Sequence, residues 1–303
     1  MSGEAHREVI SMVLPPEVSL YYPEVLRVIK ELDKVSWPKE QTRIDLLLNS
    51  WGGDAHSAFK MVLLLRSHCN TLNIVVPLMA KSAATLMCLG ADRIYMNGKS
   101  ELGPLDAQLE HPHVQGFWIS SRDEVDALSY LEYVAEMWAE DLAVKAIAPE
   151  ITRNLGLKAR DSLELAFKYT AEVLKPVVEQ IDPLIVNMSF RELEMTEKYA
   201  RELLTRFMLR GDADAEKLAA SIANELVNEY YEHGYVIDIN EARRLKLKVA
   251  EFSNLENHEK FWQHYINLEE KHEPEIKLIT EEILGTDASE HAGGEVNGQS
   301  SKS

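Results

Sequence analysis

Two turns between Ile44 and Gln108 carry the residue types that acyl transfer needs. One is Ala80-Lys81-Ser82-Ala83-Ala84-Thr85, in which a serine opens a helix; the other is Asn49-Ser50-Trp51-Gly52-Gly53-Asp54, a glycine pair at the mouth of a strand. A serine hydroxyl is a poor nucleophile at neutral pH, so it needs a base to take its proton and fixed N–H donors for the oxyanion. The start of a helix presents unpaired N–H groups and the positive end of the macrodipole. Gly52 and Gly53 let the backbone aim further N–H groups at the same place without a Cβ in the way. Each feature also has a plainer reading: Ser82 as an ordinary N-cap, and Gly52-Gly53 as a tight turn.

The elements around these turns are legible from periodicity. Ile44, Leu46, Leu47 and Leu48 form a strand-length apolar run, and Ala55, Ala58, Phe59, Met61, Val62, Leu63 and Leu65 recur at helical spacing. Ile74 to Met79 reads as a second strand, Ser82 to Leu89 as a helix and Arg93 to Met96 as a third strand. The order β-α-β-α-β predicts a parallel sheet with right-handed crossovers. Val9 to Val13 and an amphipathic helix through Leu32 add a preceding βα unit. Asn97 to His113 is rich in turn residues, and Val114 to Ser120 reads as a further strand. Helical periodicity then dominates through 123–148, 159–181 and 190–209, with another helix over 215–230. The resulting division is an α/β core over 1–121, a helical insertion or layer over 122–230, and a return to the core over 231–250. A charged, mostly helical segment follows over 251–285, and 286–303 is predicted to be a disordered tail.

The 303 residues carry a formal charge of −18, which argues against a broad footprint for nucleic acid or anionic lipid. Cys69 and Cys88 both lie in apolar helical patterns, so no disulfide framework is expected, and a reducing cytoplasm suits the chain. No window approaches the roughly 18 uninterrupted apolar residues of a membrane span, and 1–8 has no apolar stretch. His111 and His113 flank Pro112 without a third ligand at zinc spacing, so no metal is expected.

The combination of motifs resembles the serine dehydrogenase proteinase family, distant relatives of the ClpP and signal peptide peptidase A proteases. The resemblance rests on the two turns, on Leu89-Gly90-Ala91-Asp92, on Ser100-Glu101-Leu102-Gly103-Pro104-Leu105-Asp106-Ala107-Gln108, and on Glu232-His233-Gly234-Tyr235-Val236-Ile237 with Glu241-Ala242 and Leu245. It covers about half the chain and implies a ClpP/crotonase-like α/β fold of stacked β-β-α units with a mostly parallel sheet. It also implies a serine protease whose triad runs Ser, Asp, His: Ser82 as nucleophile, Asp106 as orienting carboxylate and His233 as general base. The Gly53 and Ala83 N–H groups would form the oxyanion hole, with Gly52 supporting the turn.

On bland readings Asp106 caps a turn and His233 serves a helix end. Trp51 stands where these relatives usually have proline. The base position used by ClpP falls at Leu105, which leaves His233 or a lysine. Lys145, Lys158, Lys168 and Lys175 are the candidates for a Ser-Lys dyad, whereas Lys81 is a poor one because it adjoins the serine. The leading expectation is a cytoplasmic, ATP-independent, homo-oligomeric serine peptidase that needs no cofactor and acts on peptides or unfolded segments. A crotonase-type acyl-CoA enzyme and an inactive oligomeric scaffold or sensor are the rivals.

Overall fold

Strands β1 (His6–Val13) and β2 (Thr42–Asn49) of the computed structural model lie parallel, in register from His6 against Thr42 to Val13 against Asn49. Between them runs helix α1 (Tyr22–Leu32). Ile44, Leu46, Leu47 and Leu48 are wholly buried, as befits a parallel strand covered on both faces. Helix α2 (Ala55–His68) starts where the Asp54 carboxylate accepts the Ser57 N–H, and it buries Ala58, Met61, Val62 and Leu65 at helical spacing. The structure describes residues 6–106, 108–110, 114, 118–230 and 232–285.

The stretch expected as one strand over Ile74 to Met79 is two. Strand β3 (Thr71–Val75) joins the main sheet beside β2, while β4 (Met79–Ala80) leaves it to pair with β6 (Glu101–Leu102). Pro77 lies at the break, where its missing N–H ends a ladder. Helix α3 (Ala83–Leu89) follows β4, and strand β5 (Arg93–Met96) returns to the main sheet beside β3. Single bridges extend the short β4–β6 pair, from Ser50 to Ala80 on one side and from Leu102 to Ile237 on the other. Each repeat therefore sends a long strand to the main sheet and a short continuation to a second layer.

Residues 106–195 form a compact unit of their own. It holds an antiparallel pair, β7 (Gln108–Glu110) and β8 (Trp118–Ser120), then helices α4 (Ser121–Met137), α5 (Ala148–Leu155) and α6 (Ala159–Val178), and most of α7 (Pro183–Leu203). The expected helix to Ala148 is widened into a π-helical stretch over Trp138–Ile147. Its core is small-residue packing of Ala143, Ala148 and Ala166 with Ile147, Ile151 and Leu163. Tyr130, Tyr133, Phe167 and Tyr169 remain on the surface.

From Thr196 onward the chain belongs with residues 1–105. The helical layer expected over 122–230 is thus divided, because the end of α7 and α8 (Ala215–Asn228) bury Leu203, Ala219, Ile222, Ala223 and Leu226 in the first unit. Helix α9 (Ile239–Arg244), strand β9 (Val249–Glu251), helix α10 (His258–Lys271), strand β10 (Glu275–Leu278) and helix α11 (Thr280–Leu284) complete it. The six-stranded order is β10-β1-β2-β3-β5-β9, parallel except for the β1–β10 pair. The segment 251–285 is mostly helical as expected, and it also holds the unforeseen strand at 275–278. Phe261, Tyr265 and Leu268 pack with Val9, Val13, Leu47 and Val75, so this segment completes the main core. The protein is a mixed α/β fold with a mostly parallel sheet, as the sequence predicts. The expected disordered tail, His111 and His113 fall outside the described residues.

Candidate active site

Strand β4 delivers Ser82 to the start of α3 in a backbone conformation that serine rarely adopts, φ 49° and ψ −119°. Such a residue stores about 1–3 kcal/mol of strain and persists only where its surroundings impose it. An ordinary N-cap is extended and gives its side-chain oxygen to the helix. Ser82 does neither: its hydroxyl makes no capping hydrogen bond. The plain N-cap reading therefore fails, and the residue is half-buried at the head of the helix. The turn is braced on both sides. The Ala84 N–H donates to the Lys81 carbonyl at 2.9 Å, and the Thr85 hydroxyl donates to the Ala80 carbonyl at 2.6 Å while accepting the Gly103 N–H at 3.0 Å.

The glycine turn is tied to the serine turn through backbone. Ser50 N–H donates to the Met79 carbonyl and Lys81 N–H to the Ser50 carbonyl, at 3.1 and 3.0 Å, and the Met79 N–H reaches the Asn49 side chain. On its far side the turn clasps Leu20, whose N–H donates to the Gly52 carbonyl and whose carbonyl accepts the Asp54 N–H. Gly52 (φ 102°) touches the serine turn so closely that a Cβ there would lie 2.6 Å from the Lys81 oxygen and 2.9 Å from the Ser82 Cβ. Gly53 (φ 152°) has the same closeness to Leu20. Glycine is required at both by sterics, not merely by turn preference. Among the described residues, the Gly52 N–H is taken by the Ser50 hydroxyl, whereas neither the Gly53 nor the Ala83 N–H donates to an acceptor.

His233 is half-buried in a turn beyond α8. That helix ends at Asn228, so His233 is not in its last turn and the helix-dipole reading fails. The return segment is pinned at three places. Leu102 and Ile237 exchange backbone hydrogen bonds at 2.9 and 3.1 Å. The Tyr230 hydroxyl donates to Glu241 at 2.8 Å, and Arg244 donates to both. Burial and then Glu241 push the Tyr230 hydroxyl up, while Arg244 holds the Glu241 carboxyl down, so the one donates and the other accepts at neutral pH. The third pin is the Lys81 ammonium, which reaches the Tyr235 carbonyl at 3.2 Å.

Asp106 is buried at the first position of the second unit, where its carboxylate accepts the Ser120 hydroxyl at 3.3 Å. Leu105, at the base position used by ClpP, is buried and hydrogen-bonded through its N–H to Leu226. Of the four dyad candidates, Lys145 is exposed between Asp141 and Glu140, whose carboxylates raise its pKa and hold its proton. Lys158, Lys168 and Lys175 are exposed. Cys69 and Cys88 are buried free thiols; burial pushes Cys69 up to about 11 and Cys88 higher, so neither offers a thiolate. The sequence names Ser50 and Thr85 only as members of the two turns and weighs Lys81 only as a base, so it assigns none of them, nor Tyr230, the bracing contacts found here. The Ser-x-x-Thr spacing of 82 and 85 was the only local signal, since the others act through contacts distant in sequence.

A strained serine at a strand-to-helix junction thus meets a glycine turn within a mostly parallel α/β fold. Over residues 22–130 the chain matches the family described as ClpP-like SDH-type serine proteinase, and the resemblance drawn from its motifs holds. Two uncharacterised proteins of Methanocaldococcus jannaschii are similar. MJ0137 is 24% identical over 227 residues, 75% of this chain, and MJ1495 is 31% identical over 86 residues, 28% of this chain. The matches span 58% and 27% of those relatives' own lengths. Two solved structures also match. They are a serine-to-alanine variant of the 1510-N membrane-bound stomatin-specific protease (18% identity, TM-score 0.29) and a lysine-to-alanine variant with a substrate peptide (19%, 0.30). Each covers 57% of this chain; the matched shares of those chains are 77% and 73%. Among the described residues no helix is long and apolar enough to cross a membrane, and no cluster of three or more His, Cys, Asp or Glu could hold a metal.

Proposed function

We propose that the protein is a serine peptidase that hydrolyses peptides or unfolded segments without ATP, through an acyl-enzyme at Ser82. The observation that carries this reading is the backbone of Ser82, held at positive φ with its hydroxyl given to no helix N–H. A protein maintains such strain where it exposes a reacting atom. The Gly53 and Ala83 N–H groups are the oxyanion donors, and Gly52 supports the turn. His233 is the general base, on a loop whose anchoring suits a group that must be held in place, and Asp106 is the orienting carboxylate assigned by its place in the motif. The triad is preferred to a Ser-Lys dyad because Lys145, Lys158, Lys168 and Lys175 are all exposed, without the desolvation that would free a lysine of its proton. Exposed rings in the second unit support a homo-oligomer.

A fluorophosphonate probe should label Ser82, identified by peptide mapping, and unfolded casein should be hydrolysed with no nucleotide present. Labelling absent, or confined to another residue, overturns the assignment. His233→Gln should slow labelling at least about 10²-fold, the lower end of what a general base contributes; an unchanged rate would move the base elsewhere.

Substrate side chains meet an aromatic approach. Trp51, 51% exposed, adjoins Gly52, and the exposed Tyr21 follows the Leu20 that the glycine turn clasps. Trp51→Ala should raise KM for peptides several-fold, since one buried ring contact is worth about 1 kcal/mol. The small probe should still label Ser82 at the parent rate. Peptide KM unchanged would exclude Trp51 from the substrate path.

A further inference from the structure

Lys81 is the unexpected residue of this site. It is only 5% exposed, and its ammonium has three acceptors: Glu101 at 3.0 Å, the Leu102 carbonyl at 3.3 Å and the Tyr235 carbonyl at 3.2 Å. An ammonium has three N–H donors and no lone pair, so all its capacity is spent and none remains for the serine proton. Its stem passes so near Gly103 that a Cβ on that residue would meet the Lys81 Cδ at 2.8 Å. A charge so far from water is costly unless fully partnered, and here the partners are drawn from two separate segments.

Both segments bear on the site. Leu102 lies in β6, whose neighbour Gly103 is tied to Thr85 in the turn of α3. Tyr235 lies two positions after His233, and its ring sits 4.7 Å from that of Tyr230, tilted by 41°. Lys81 itself is bonded covalently to Ser82. One ammonium therefore links the backbone that carries the serine to the loop that carries the histidine, with Glu101 supplying the compensating charge.

We propose that Lys81 is a positioning residue, a charged clasp that holds the His233 loop in register with the Ser82 turn. This rests on the peptidase reading above, with Ser82 as nucleophile and His233 as base. Without the clasp the loop keeps the Leu102–Ile237 bridge and the Tyr230 anchor, but loses the tie at Tyr235, two residues from His233. A small displacement of a base costs rate steeply, about 10²-fold for roughly 1 Å.

The test is Lys81→Met in the full chain, with Lys81→Arg and Glu101→Gln beside it. Amide hydrogen exchange at Ile237 and Leu102 should speed up about tenfold in Lys81→Met, the worth of one charge-assisted hydrogen bond, while the Leu46 amide in the main sheet stays protected. Probe labelling at Ser82 should slow about 10²-fold, with part recovered in Lys81→Arg, which keeps the charge and reach. Glu101→Gln, which leaves both carbonyl contacts, should show the same changes at smaller size and serves if Lys81→Met fails to fold. Unchanged exchange at Ile237 overturns the clasp, as does equal loosening at Leu46. Faster exchange with unchanged labelling overturns its role in positioning. A parent chain that the probe does not label at Ser82 refutes the peptidase reading itself, which separates that failure from the failure of the clasp.

Discussion

Replacing Ser82 with glycine is expected to abolish hydrolysis and make the protein more stable. On the proposed peptidase reading the loss is on the order of 10⁶-fold in kcat, because a nucleophile and its partners act as a unit and removing one removes nearly all their effect. The stability gain comes from the backbone. At φ 49° and ψ −119° the Cβ of Ser82 is crowded by its own peptide groups, whereas glycine enters this region freely. Release of about 1–3 kcal/mol of strain, less the roughly 0.5–1 kcal/mol that glycine loses in ordering, leaves a net gain on the order of 1 kcal/mol. Since the hydroxyl caps nothing, its removal forfeits no helix hydrogen bond. Ser82→Ala supplies the contrast: it is as inactive as glycine but keeps the Cβ, so it should show no such gain. Denaturant midpoints of the three proteins decide the matter. A glycine variant no more stable than the alanine variant would mean that the turn is not strained by its surroundings.

The parts of the fold that could be read from sequence are those whose signal is local. β2 and α2 are legible because apolar spacing of period 3.6 follows an apolar run broken only at Asp45, and the structure places them as expected. The break within 74–79 is less visible, because apolar residues stand on either side of Pro77 and hydropathy does not distinguish which sheet a strand joins. β10 was hidden for a different reason. Its alternation of Glu275, Ile276, Lys277 and Leu278 is an edge-strand pattern only four residues long, set among helical ones. At the candidate site, the serine and glycine turns are local and could be named. That Lys81 would be buried with carbonyls from 102 and 235 could not be, since nothing in the spacing of those residues foretells one pocket. The sequence showed only that a lysine adjoined the serine, and the contacts now explain where its side chain goes.

Gly52→Ala is the second large effect, and it follows from how the two turns meet. The added carbon would lie 2.6 Å from the Lys81 carbonyl oxygen and 2.9 Å from the Ser82 Cβ, well inside contact distance. Neither neighbour can yield cheaply. The Lys81 carbonyl is held by the Ala84 N–H at 2.9 Å, and Ser82 is already strained. Alanine must also adopt φ 102°, a region that L residues rarely enter. Overpacking and backbone strain together should cost about 3–4 kcal/mol of stability. The molecules that remain folded must move the serine turn away from the glycine turn. If the proposed Gly53 and Ala83 donors serve the oxyanion, their misalignment then lowers kcat by about 10²–10³-fold on the folded fraction. Gly98→Ala is the control, because a Cβ there meets nothing within 4 Å and its stability should hardly change. Gly53→Ala refines the argument: its added carbon would strike the Leu20 backbone at 2.5 Å, on the far side of the turn from the serine. Both glycine variants should melt early. If Gly52→Ala melts early yet its folded fraction is labelled at Ser82 at the parent rate, the contact between the turns supports the fold and does not set the geometry of reaction.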